Sequence, residues 1–326
     1  MGTFRDHLQE LYLYFHSSAN CTAKLKSAAH VLGISALKVK EVKDGRWLSQ
    51  HLAIQTLQKN FPAVLAALAE ETELKKCPVT KGLYTFCATY RFVAALHLQA
   101  DFLPHLAWLS KVFQKTDVNF LHIKEQVPVT IVVLRGIIEA GGTSPGSFLS
   151  KLHEDLDNPA ALGSFRIVEE EERSRRGSEA QEKPREELWI RFLKQVLEPY
   201  ITSLIKNLEK RFENLHILGA FSVLRPQEPQ LDDAANTAHL QTLIKKFLPG
   251  QDEATVVQEW MSFKEHVSSG AFKDKSQGAI LELLASEYDE WGDVYPCLSQ
   301  LAAAALIIPV ASVNCERFLS NEQDQN

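Results

Sequence analysis

Apolar residues recur every three to four positions along most of this chain, the spacing of one face of an α-helix. Leu8, Leu11, Tyr12 and Phe15 make the first stripe. Leu25, Ala28, Ala29 and Leu32 make a second, running to Gly33, and Ser17-Ser18-Ala19-Asn20 reads as the break between the two helices. The polar stretch 38–49 follows, with a turn at Asp44-Gly45, after which Arg46-Trp47 opens a new helix. Leu52, Leu57, Phe61, Val64, Leu65 and Leu68 carry that helix to Ala69, with Pro62 expected to kink or restart it. Thr80-Lys81-Gly82 reads as a break, and Phe86 to Leu98 and Phe102 to Phe113 as two further helices, the second continuing past Lys115. Val118 to Ile138 contains the run Val127 to Leu134, which a strand could also explain; strict alternation is missing, so a helix is expected.

Gly141-Gly142-Thr143-Ser144-Pro145-Gly146 is a loop, without the Lys-Ser/Thr or glycine spacing of a phosphate-binding turn. A short helix, Phe148 to Leu156, comes next. Residues 169–187 hold 13 charged residues in 19. So little apolar surface cannot offset the entropy of ordering, and a mobile loop is expected there. Arg173, Arg175 and Arg176 within it make a poor nuclear-localisation signal, because four glutamates precede them. The apolar rhythm from Leu188 to Phe212 is the longest in the chain; Pro199 should bend that helix, and a short coiled coil is the alternative reading. Near the end, Tyr295-Pro296 suits the first turn of a helix whose apolar face is Leu298, Leu301, Ala302, Ala305 and Leu306. Pro309 ends or kinks it, and Ser312 is placed to cap another.

Composition narrows the picture modestly. The 326 residues are 45% hydrophobic and 23% charged, an ordinary globular balance, with room for two domains or one large one. A net charge of −6 argues against non-specific DNA binding by this chain alone. Five dispersed cysteines, with no Cys-x-x-Cys pair, suggest free thiols in a reducing compartment. No apolar run reaches membrane-spanning length, and Met1 to Glu10 has no signal-peptide core, so an intracellular protein is expected. Cys77, Cys87, His97 and His105 are the nearest approach to a Cys/His cluster, but their spacing fits no zinc site and each sits in an apolar periodic stretch; they read as core or boundary residues. His7, His16 and His30 read as surface or helix-end residues. No metal and no cofactor are expected.

The run from Tyr295-Pro296 through Ser312, Glu316, Arg317, Leu319 and Ser320 resembles the C-terminal dimerisation region of hAT-superfamily transposases. The family pattern is Tyr/Phe-Pro, a Leu-rich helix, an Ile-Pro break, then Ser-x-x-x-Glu-Arg-x-Phe-Ser; here Leu319 stands where the family usually has Phe. Arg46-Trp47 resembles the element that marks entry into the family's all-helical insertion domain, where the Trp helps handle flipped DNA at the transposon end. The Leu109 to Asp117, Arg211 to Pro226 and Glu259 to Lys264 phrases resemble that insertion domain too, in the same order.

The resemblance implies a fold and an incomplete one. Such transposases cut DNA with two Asp from an RNase H-like sheet and one Glu from a later helix, holding two metal ions. Glu316 matches the Glu position. The stretch before Arg46 reads as helix, with Asp6 and Asp44 in the wrong contexts for the two Asp, so Glu316 is expected to be vestigial, as are Arg46 and Trp47. The expected fold is mainly α: a remnant helical segment of the RNase H-like domain over 1–45, an all-α insertion domain over 46–280, and a truncated dimerisation region over 285–326. The expected protein is a fragmentary, domesticated and non-catalytic derivative, resembling vertebrate transposon-derived proteins without their zinc fingers, and nuclear on that resemblance. It would act by dimerising with itself or a related hAT-derived protein through Leu298, Leu301, Ala305, Leu306, Glu316 and Arg317. A DNA-binding transposase or nuclease-like subunit is the alternative.

Overall fold

The computed structural model of the chain describes residues 2–42, 47–75, 77–113, 120–158, 167–169, 184–225, 233–269, 272, 275–286 and 290–308. Among these residues every regular element is helical and none is a strand. The chain divides into two compact units, Met1–Trp108 with Thr130–Leu208, and Leu109–Val129 with Glu209–Asn326. Asp44, Gly45, Arg46, most of the charged 169–187 stretch, and everything from Pro309 onward, including Glu316 and Arg317, lie outside the described residues.

The first unit opens with α1 (Gly2–His16) and α2 (Ala19–Val31). Their break is two residues long because Ser18 turns the chain: its hydroxyl accepts the Cys21 N–H at 3.4 Å and caps α2. Gly33 ends the hairpin with φ of 67°, a backbone region that favours glycine. α3 (Trp47–Lys75) then runs as one helix through Pro62, with no restart. Ile54, Leu57 and Phe61 before that proline and Ala63, Val64, Leu65 and Leu68 after it are buried, so packing holds the helix together across the missing backbone bond. Buried Asn60 fixes the preceding segment to α3. Its side-chain oxygen accepts the Leu37 N–H at 3.2 Å, and its amide donates to the Leu37 carbonyl at 2.7 Å. Lys24 of α2 pairs with the buried Glu71 of α3.

Two expectations about this region fail for one reason. Thr80-Lys81-Gly82 is not a break but the middle of α4 (Pro78–Cys87), which Pro78 opens in its first turn. Thr80, Leu83 and Cys87 are its buried face, so the amphipathic stripe outweighs the glycine. Likewise Phe86 to Leu98 and Phe102 to Phe113 are not separate helices split at Gln99 to Asp101. α4 stops at Cys87, and α5 (Tyr90–Phe113) is continuous, with Pro104 inside it. Cys87 and His97 are core residues, as their apolar setting suggested; burial keeps the His97 imidazole neutral, its Nδ1 bonded to the Val93 carbonyl at 2.8 Å. Cys77 is half-buried at the head of α4, and His105 is exposed on α5. His16 and His30 are exposed, while His7 is half-buried with its ring stacked on Phe86.

The strand-like run Val127 to Leu134 is helical, inside α6 (Phe120–Glu139). Its buried positions, Ile123, Val127, Thr130 and Leu134, fall at spacings of three and four, which is the helical period. The Gly141 to Gly146 loop follows, with positive φ at Gly141, Gly142 and Gly146. At Gly142, where φ is 75°, a Cβ would come within 2.7 Å of Leu149 Cδ2 and 2.9 Å of Leu197 Cδ1, so a side chain there strains the backbone and pushes both leucine tips aside. α7 (Phe148–Asp157) is capped by Ser147 and, from α5, by Asp101, whose carboxylate accepts the Phe148 and Leu149 N–H groups at 2.7 and 3.0 Å. The long rhythm from Leu188 onward becomes α8 (Pro184–Phe192), a π-turn at Leu193–Leu197 and α9 (Glu198–Arg211). The irregularity sits immediately before Pro199: the Glu198 N–H reaches back five residues to the Leu193 carbonyl. A proline ring crowds the carbonyl four residues earlier, and widening the ladder there relieves it.

The second unit contains α10 (Leu215–Ala220) with a 3-10 turn at Phe221–Leu224, then α11 (Asp233–Phe247), α12 (Glu253–Ser269), α13 (Gln277–Ala285), α14 (Trp291–Val294) and α15 (Pro296–Ile307). Rings from distant segments join its core. Phe120 and Phe247 lie 5.6 and 5.4 Å from Phe221, and Phe113 lies 5.2 Å from Phe212.

Candidate dimerisation region

α15 starts where Tyr295-Pro296 requires it, yet the residue before the helix supplies no side-chain cap. The cap comes from elsewhere. Glu259 of α12 places one carboxylate oxygen 2.9 Å from the Cys297 nitrogen and 3.2 Å from the Leu298 nitrogen, accepting both N–H groups. These are two of the four donors that a helix start leaves without partners, and a negative charge there also meets the positive end of the helix dipole. The Cys297 thiol lies against the same carboxylate; burial first, and Glu259 second, push it up to about 11. Cys297 is therefore a protonated, unreactive thiol at neutral pH.

The next residues of Glu259's helix build the wall behind α15. Trp260 is fully buried, and its Nε1–H donates to the Val223 carbonyl at 2.9 Å. Lys264 lies over the Trp260 ring at 5.5 Å. Phe263 meets Tyr295 and Phe272 edge-on, with centroids 5.6 and 5.3 Å apart. Trp291 stacks on Tyr295 and closes over Phe272. Tyr295 is buried among these rings, and its hydroxyl hydrogen-bonds His266 Nδ1. α13 is started by Ser276, which accepts the Ala279 N–H at 3.2 Å. Its first residue, buried Gln277, donates to the Phe221 carbonyl at 2.9 Å and accepts the Phe120 N–H at 3.3 Å. One amide thus satisfies a backbone donor and a backbone acceptor from two distant segments, both of which would be costly to bury unpaired.

α13 and α15 pack along their lengths. Ile280, Leu281 and Leu284 face inward from α13, and Cys297, Leu298, Leu301, Ala302 and Ala305 from α15. Three of the residues expected on a dimer-forming face, Leu298, Leu301 and Ala305, are therefore buried within their own chain. Fully burying each leucine is worth about 1.5–3 kcal/mol, which here goes to the fold of the unit. Leu306 departs from the stripe. At about 100° per residue it lies roughly 110° from the middle of the buried face, and it is 46% exposed, next to Ile307 at 79%. Of the residues assigned to dimerisation, Leu306 is the described one that faces outward. The helix ends at Ile307, and Ile308 is extended (ψ 116°), as expected of a residue that precedes a proline.

Trp47 is the first residue of α3 and is half-buried, in the first unit. Among the described residues no group of three or more His, Cys, Asp and Glu is placed to hold a metal ion, and no helix is long and apolar enough to cross a membrane. Sequence reasoning missed Glu259 and Gln277. The Glu259 to Lys264 phrase stood out, but nothing local to it signals that its first residue caps a helix nearly forty residues later.

Residues 271–325 match the family model of the hAT family C-terminal dimerisation region. That match supports an origin in the hAT superfamily and a role in protein dimerisation. No solved structure matches the chain.

Proposed function

We propose that this chain is a non-catalytic, domesticated hAT-derived protein that works by pairing with a second copy of itself or with a related hAT-derived protein. The observation that carries the reading is the match at 271–325 together with the form of α15, the helix within it. One face of α15 is used up in the chain's own core, while its C-terminal end presents Leu306 and Ile307 to solvent, leading into the rest of the matched segment. The proposal extends to organisation: residues 1–45 as a remnant of an RNase H-like domain, 46–280 as a helical insertion domain, and 285–326 as the dimerisation region, in a protein similar to vertebrate proteins of the zinc finger protein 862 type and located in the nucleus. Support for a non-catalytic role comes from the described carboxylates: Asp6 lies on helix α1, and Asp101, Glu71 and Glu259 are engaged in capping or pairing. The net charge of −6 supports protein rather than DNA as the partner of this chain alone.

Light scattering on the purified chain at tens of micromolar tests the reading, a concentration matched to a binding free energy of about −6 kcal/mol. Twice the chain mass is expected for wild type. Leu306→Asp combined with Ile307→Asp should return the chain to monomer with its circular dichroism unchanged, because both side chains are exposed and neither belongs to the buried face of α15. A wild-type monomer, or a double variant that still dimerises at wild-type strength, overturns the role given to this end of α15.

A further inference from the structure

The matched dimerisation region does not contain the group that starts its own helix. Glu259 lies outside 271–325, yet both capping hydrogen bonds to α15 end on its carboxylate. α15 has no local substitute, since Tyr295 points its ring into the aromatic cluster and Pro296 has no N–H. The α13 start, by contrast, caps itself through Ser276. So one half-buried tether from α12 sets where α15 begins, and the helix carries that setting to its other end, where Leu306 and Ile307 emerge. A helix rises about 1.5 Å per residue, so a small tilt at Cys297 moves side chains ten residues away by a matching lever.

We infer that Glu259 is a positioning residue for association: it orients α15 so that its exposed end, with Leu306 and Ile307, is presented to a second copy of this chain. The inference rests on the dimerisation reading above and adds that the dimerising unit of this chain must include α12. A hydrogen-bonded carboxylate at a helix start does more than fill space, and the neighbouring Trp260 offers a control on the same helix. Trp260→Phe removes the hydrogen bond to Val223 but leaves the cap intact.

Three variants separate the possibilities, measured by light scattering over a concentration series well below the melting temperature, and by thermal melts. Glu259→Ala should weaken association about tenfold or more, because an α15 without its cap holds the association-competent orientation for only a fraction of the time. Glu259→Gln keeps an oxygen that can accept both N–H groups and should restore association to within about threefold of wild type, its remaining deficit being the lost charge at the helix end. Trp260→Phe should lower the melting temperature and leave association within that same range. Hydrogen exchange at the Cys297 and Leu298 amides should quicken in the Ala variant and stay near wild type in the Gln variant. If Glu259→Ala does not fold, the Gln variant and the exchange rates carry the test. Exchange at those two amides that is faster in Gln than in wild type, with unchanged association, overturns the inference. Equal weakening by Glu259→Ala and Trp260→Phe also overturns it, by showing a general loss of stability. A wild type that is dimeric with an unaffected Glu259→Ala variant overturns the positioning role alone, whereas a monomeric wild type removes both this inference and the reading beneath it.

Discussion

Asp101 makes the stability of the first unit depend on pH in an unusual direction. Its carboxylate accepts the first two N–H groups of α7, an arrangement that ordinarily favours the charged form. Burial opposes this and dominates, pushing the group from 3.8 up to about 6, with the hydrogen bonds from Phe148 and Leu149 pulling the other way. A carboxyl group raised in the folded state binds its proton more tightly there than in the unfolded chain. Its contribution is therefore most favourable below the unfolded value of 3.8 and is lost as pH rises through about 6. Two pH units correspond to about 3 kcal/mol, and solvent screening of a partly exposed group reduces that to about 1–2 kcal/mol. The perturbation is Asp101→Asn, which keeps one oxygen to accept an α7 N–H, gives up the second acceptor at a cost that does not vary with pH, and removes the titration. Urea unfolding of both proteins, repeated at intervals from pH 4 to pH 8, gives the difference in stability at each pH. Wild type should lose about 1–2 kcal/mol relative to the Asn variant between pH 4 and pH 7 and then level off. A flat difference would mean that burial and hydrogen bonding cancel. A difference of opposite slope would mean that the helix end wins over desolvation, and the reasoning would be refuted.

Leu301→Asp should unfold the second unit rather than merely weaken association, because it puts an unpaired carboxylate into the α13–α15 core at a cost of about 3–5 kcal/mol or more; a variant with a wild-type melt would place Leu301 outside the core. The glycines of α4 and of the 141–146 loop should respond in opposite ways. Gly82→Ala, in a helix with open space around its Cβ, should stabilise by about 0.5–1 kcal/mol, whereas Gly142→Ala, at φ of 75° against Leu149 and Leu197, should cost about 2–4 kcal/mol. Equal effects at the two positions, measured by chemical denaturation, would contradict the assigned backbone geometry.

Local chemistry was readable wherever a residue acts on its neighbours in the chain. Ser18 and Gly33 bound α2, Pro296 opens α15, and the glycines of 141–146 turn the chain, each through its own φ preference or capping oxygen. The helical period also decided Val127 to Leu134 against a strand, since spacing alone fixes which side chains share a face. Breaks placed at Thr80-Lys81-Gly82 and between Leu98 and Phe102 were misread, because propensity is worth less than about 1 kcal/mol per residue while each buried leucine brings more. The motif residues Arg46, Glu316 and Arg317 lie outside the described residues, so they stand as the sequence left them.

The candidate site divides along the same line. The sequence by itself determined that 296–307 is a helix with one apolar face. Only the tertiary structure decided that this face is filled by α13, that Leu306 turns away from it, and that the cap comes from Glu259, 38 residues before Cys297. Periodicity records that a face must be covered but not what covers it. A hydrogen bond between segments far apart in the chain depends on how the helices between them fold back, and that path is set by packing of the whole unit rather than by any local run of residues.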